Sequence, residues 1–109
     1  MEKQKSRVKI ADGERSLIIL LVDDEGRRSP IYTAASRAGH RPVVATGVDT
    51  AVVVLGGLRP DVVIVRAGSP ERDRQVVARL SQVTPDIPIR VVDPDGNGFT
   101  FEDSTVPLN

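Results

Sequence analysis

Three short apolar runs in this chain end in charged residues that can do chemistry. Leu17 to Val22 is followed by Asp23, Asp24 and Glu25, Val62 to Val65 by Arg66, and Ile87 to Val92 by Asp93. Adjacent carboxylates concentrate negative charge, whereas a guanidinium stays protonated in proteins, has no lone pair for attack and pairs with carboxylates in a planar fork. Two placements of Arg66 follow. It reaches Asp23 or Asp24 as an internal ion pair, with Asp93 approaching from the neighbouring strand, or it extends from the rim into solvent. A charge pair at 4 Å is worth about 4 kcal/mol at an effective dielectric near 20, before desolvation is subtracted. His40, the one histidine, follows a helical segment and falls on the rim away from these acids, which speaks against a Ser-His-Asp arrangement. Asp95-Gly96-Asn97-Gly98 has neither a Walker Lys nor a following helix and reads as a turn, not a phosphate cradle. Arg27-Arg28 reads as the solvated start of the first helix.

The elements that position these residues can be read from spacing and punctuation. Leu17 to Val22, Pro42 to Ala45, Val62 to Val65 and Ile87 to Val92 are predicted strands, the first and third apolar on both faces as central parallel strands are. Ser29-Pro30 is an N-cap with Pro at the first helical position, followed by Ile31, Ala34, Ala35 and Ala38 at helical spacing and by Gly39 as a C-terminal glycine. Ser69-Pro70 repeats the device before Val76, Val77, Leu80 and Val83. A middle helix is capped by Asp49 and ends at Gly56-Gly57, although Val52 to Val54 are poor helix formers. The order βαβαβαβ predicts an α/β fold: an open, mostly parallel sheet with helices on both faces and functional residues at the carboxyl ends of the strands, where Asp23, Asp24, Thr46, Arg66 and Asp93 converge. Phe99 to Phe101 alternates after the Gly-rich turn and is predicted to fold back antiparallel on the fourth strand, or to pair with a second copy of the chain.

Composition narrows the function. The 109 residues carry 15 Lys plus Arg and 15 Asp plus Glu, for a formal net charge of zero, and only one Tyr, two Phe and no Trp. That disfavours a nucleic-acid binder. Without Cys there is no disulfide framework or thiolate metal site, and a six-residue apolar run is too short for a membrane span. A cytoplasmic domain is expected, with residues 1–15 as a polar tail, 16–101 as the folded unit and 102–109 as an acidic tail.

The string Leu20-Leu21-Val22-Asp23-Asp24-Glu25 resembles the acidic pair of CheY-like response-regulator receiver domains, of flavodoxin-like fold. Gly39-His40 before the second strand, Arg59-Pro60-Asp61-Val62-Val63-Ile64-Val65 into the third, Pro70 and Asp73 beyond it, and Pro85-Asp86-Ile87-Pro88 into the fourth extend the likeness over residues 17 to 93. In that family the acidic pair holds Mg²⁺, an Asp ending the third strand accepts a phosphoryl group, a Ser or Thr ends the fourth strand and a Lys ends the fifth. Here Asp23 and Asp24 match the pair, Arg66 stands at the acceptor position and Asp93 at the Ser/Thr position. The final strand, helix and Lys are not recognisable, all three Lys lying between positions 3 and 9.

The resemblance implies a C-terminally shortened, degenerate receiver with the altered pocket Asp23, Asp24, Arg66 and Asp93 and no catalytic residue. The leading expectation is a non-enzymatic signalling or scaffolding module, without cofactor or metal, that acts through another protein or as a homodimer through the C-terminal edge strand. Two alternatives stand beside it: a phosphoacceptor using Asp93, with Mg²⁺ held by Asp23 and Asp24, and a small-ligand sensor at the same rim. Asp61 begins the third strand, about 16 Å from its far end, too distant to accept a phosphoryl group there.

Overall fold

The computed structural model describes residues 16–93, together with the backbone of two further short strands. The strands are β1 (Arg7–Lys9), β2 (Ile18–Val22), β3 (Arg41–Ala45), β4 (Val62–Arg66), β5 (Ile89–Val92) and β6 (Thr100–Glu102). The helices are α1 (Pro30–Arg37), α2 (Val48–Leu55) and α3 (Pro70–Val83). Strands β2 to β5 form one parallel sheet in the order β3-β2-β4-β5. The reversal of strand order lies between β2 and β4, and the crevice at their carboxyl ends is where open α/β sheets place their sites. Among the described residues, no helix is long and apolar enough to cross a membrane.

The apolar runs form strands because both of their faces are covered. Ile19, Leu21, Val62, Ile64 and Val92 pack with Ile31 and Ala35 of α1 on one side. Leu20, Val22, Val63 and Val65 pack with Ala51 of α2 and with Val76 and Leu80 of α3 on the other. The Ser-Pro devices operate as predicted: the Ser29 hydroxyl accepts from Ile31 N at 3.0 Å and the Ser69 hydroxyl from Arg72 N at 3.2 Å. Gly39 follows α1 with φ +89°, the left-handed conformation that favours glycine. The middle helix differs from expectation. It begins at Val48 with Gly47 as its cap, and Asp49 sits within the first turn, where its charge still complements the helix dipole. Val52 to Val54 stay helical because Ala51, Val52 and Val54 pack on the sheet, a gain that outweighs their weak propensity.

The C-terminal strand also differs. β6 does not run antiparallel on β5; it pairs in parallel with β1, Arg7 opposite Thr100 and Lys9 opposite Glu102, beside α1. The segment expected to be a polar tail thus supplies the partner strand. The Asp95–Gly98 turn lies outside the described residues.

The amino-terminal rim is tied by two side chains. Asp61 Oδ2 accepts from Ile18 N and Asp61 N donates to Ile18 O, both at 2.8 Å. His40 is buried, and its Nδ1 accepts from Leu17 N at 3.2 Å. An accepting Nδ1 requires the neutral ring, and burial lowers the His40 pKa from 6.5. A His whose pKa is lower in the folded than in the unfolded chain binds more protons when unfolded, so the stability it contributes is complete above about pH 6.5 and declines as pH falls through the folded value. Urea midpoints measured from pH 7.5 to 5 are expected to fall in that window, and His40→Asn to flatten the step while lowering stability at pH 7.5.

Candidate functional site

Asp23 ends β2 with its backbone still in the sheet, Asp23 N donating to Ala45 O at 2.9 Å. The chain then reverses. Asp23 Oδ1 accepts from Glu25 N at 2.8 Å, Asp23 O accepts from Gly26 N at 3.0 Å, and Gly26 adopts φ +59°. Glycine makes that left-handed turn without strain, a conformation that L side chains rarely adopt. This side-chain-capped turn fixes Asp23 inward, at 1% exposure, and swings Asp24 and Glu25 outward.

Arg66 is the last residue of β4, one strand over. Its Nη1 lies 2.9 Å from Glu25 Oε1 and 3.4 Å from Asp23 Oδ1, and the guanidinium is largely shielded from solvent. Of the two placements left open by the sequence, the structure has the internal ion pair, with Glu25 as the nearer partner. The hydrogen bond to Glu25, set against the opposing effect of burial, and the charges of Asp23 and Glu25 push the Arg66 pKa further up, so the side chain is a fixed cation. Asp23 Oδ2 is buried without a hydrogen-bond partner, which leaves Arg66 to stabilise a carboxylate shut off from water.

A cleft of about 440 Å³ opens over this group, walled by Asp23, Asp24 and Glu25 on one side and by Arg66, Gly68 and Arg72 on the other. The loop after β4 is held by Asp73, whose Oδ1 and Oδ2 accept from Gly68 N at 2.9 and 3.2 Å, while Arg72 Nη1 lies 3.3 Å from Asp73 Oδ1. Asp93 and Thr46 stand on the same rim but are exposed and do not line the cleft. β5 is the outer strand of the sheet, so its end lies one strand further from Asp23 than Arg66 does. Glu25, which the sequence did not single out as the arginine's partner, is delivered by the Asp23 turn. An Asp two residues before a Glu and three before a Gly is the local signal for it.

The donor set does not suit Mg²⁺. That ion takes near-octahedral oxygen ligands, mostly carboxylate and water. Here one oxygen of the single buried acid is already engaged by a backbone N–H and a guanidinium, and a fixed positive charge lies against it. Among the described residues, no three His, Cys, Asp or Glu side chains are grouped to hold a metal.

Comparison with protein-family models and with curated proteins finds no match. The fold is similar to a solved structure described as that of a transiently phosphorylated "switch" in bacterial signal transduction. The TM-score is 0.56 and the sequence identity 20%, over 85% of this chain and 84% of that one. The likeness establishes a receiver-like α/β fold, in agreement with the order of the four strands.

Removing the cation leaves Asp23 buried with a single backbone donor. Arg66→Ala is therefore expected to lower stability by about 1–3 kcal/mol, and Glu25→Ala, at a half-exposed position, by less than about 1 kcal/mol, both read from denaturant midpoints.

Proposed function

We propose that this chain is a receiver-like signalling or scaffolding module of a phosphorelay-type pathway, in which contact with another protein, and not phosphoryl transfer, carries the signal. The reading rests on one observation: Arg66 closes on Asp23 and Glu25 at the carboxyl end of β4. Receiver chemistry needs a carboxylate there, both to attack the phosphodonor and to help hold the metal. A guanidinium lacks the lone pair for the first task and repels the cation of the second. Phosphoryl transfer depends almost wholly on positioned charge, so a cleft whose buried acid is already paired with a fixed cation has lost the means of catalysis together with the nucleophile. The module then has one state, set by its sequence, and serves as a fixed surface for a cytoplasmic partner. The position of Asp93 outside the cleft supports this reading over one in which Asp93 is the acceptor.

Incubation with acetyl phosphate and Mg²⁺, followed by intact-mass measurement, is expected to give no phosphoryl adduct. A stoichiometric adduct overturns the proposal, and its loss in Asp93→Asn assigns the acceptor to Asp93. Calorimetry offers the complementary test. The parent protein is expected to give no heat with millimolar Mg²⁺, whereas Arg66→Asp, which exchanges the cation for a third carboxylate beside Asp23 and Asp24, is expected to bind the ion.

A further inference from the structure

The two outer strands of the sheet differ in whether they can accept another strand. In β3, Arg41 N donates inward to Leu17 O and Ala45 O accepts inward from Asp23 N. By the two-residue period of a strand, Pro42 and Val44 turn their backbone groups outward. Pro42 has no N–H, so that edge is blunted. In β5, Pro88 O and Val92 O accept inward from Val63 N and Ala67 N, which leaves the N–H and C=O of Ile89 and Val91 facing out. Among the described residues β5 has no neighbour on that side and contains neither Pro nor Lys. Val91 is 42% exposed and forms, with Val77 and Ala78 of α3, the floor of an open, almost wholly apolar groove of about 620 Å³ bordered by Asp73 and Arg74.

We propose that this edge and groove are the interface of a two-fold homodimer in which β5 pairs antiparallel with β5 of a second copy, centred on Val91. Symmetry and backbone direction select this register. In an antiparallel pair, opposed residues share a face, and a two-fold axis normal to the sheet preserves faces, so the paired positions must sum to an even number. Centring on Arg90 would instead oppose two cations in a non-hydrogen-bonded pair, where side chains lie closest. Centring on Val91 makes it a hydrogen-bonded pair with itself, sets Arg90 against Val92 of the second copy and Ile89 against its Asp93, and joins the two α3 grooves into one apolar seam. The occupant is a second copy for three reasons. The edge complements itself in this register, the groove is bordered by one acid and one base, and the chain carries no net charge to oppose association. With the β3 edge blunted by Pro42, pairing stops at two. Arg66 plays no part, so this interface stands or falls independently of the closed cleft.

Light scattering over a concentration series is expected to give twice the chain mass at tens of micromolar. Val91→Lys, which opposes two ammonium groups across the axis, is expected to weaken association at least tenfold with the far-ultraviolet spectrum unchanged. Because the chain has no cysteine, Val91→Cys gives a second readout that does not depend on how the lysine variant folds. A hydrogen-bonded antiparallel pair holds its Cα atoms about 5.5 Å apart, within disulfide range. Mild oxidation is expected to cross-link Val91→Cys into a dimer and to leave Val53→Cys, at an exposed position on α2, as monomer. A monomeric parent at 100 µM, a dimer unaffected by Val91→Lys, or equal cross-linking of the two cysteine variants overturns the proposal.

Discussion

A carboxylate buried without water needs a cation, and the site is organised around that requirement. Asp23 is carried inward because the strand it ends is central in the sheet and because its own side chain closes the following turn. The neighbouring central strand ends in Arg66, which extends back over it. Asp23 would be costly to bury there alone, since an isolated buried ion is destabilising. Glu25 completes the group from the solvent side at 2.9 Å, closer than the 3.4 Å to Asp23. The outer contact holds the guanidinium and the inner one spares the carboxylate, so the three residues act as a unit whose members are not interchangeable.

That unit occupies the place where an open parallel sheet ordinarily offers a site to a ligand. The sheet presents loop termini at the crevice beside its reversal of strand order, and what happens there depends on the side chains placed at the ends of β2 and β4. With acids on both strands the crevice would attract a hard cation. With acid on one and guanidinium on the other, the charges satisfy each other. At the opposite rim His40 keeps a neutral ring, whose Nδ1 is needed by Leu17 N.

The sheet was legible in the sequence because burial on both faces writes itself as continuous β-branched runs, and helices α1 and α3 because Ser-Pro punctuation has a local cause in cap geometry. The placement of Arg66 against the acid of β2 followed from chain direction and strand adjacency. The identity of its nearer partner did not, because Glu25 reaches it only through a turn set by the Asp23 side chain and the positive φ of Gly26. Asp93 is expected in the cleft on position alone; it is exposed at the end of β5 and is not among the cleft's walls. The pairing of β1 with β6 was invisible for a different reason. It joins segments from opposite ends of the chain, and no periodicity in either one specifies a partner so distant.

Asp61 has a role that its exposed position conceals. By accepting from and donating to Ile18 at 2.8 Å, it adds a side-chain rung to the ladder just before β2 and β4 begin to pair. A slip of one residue between those strands would exchange the side chains of β2 between its two packed faces, and it would also pull that rung apart. A single loop carboxylate thereby proofreads the alignment of the two central strands, and fidelity at the mouth of the cleft is enforced from the far end of the sheet.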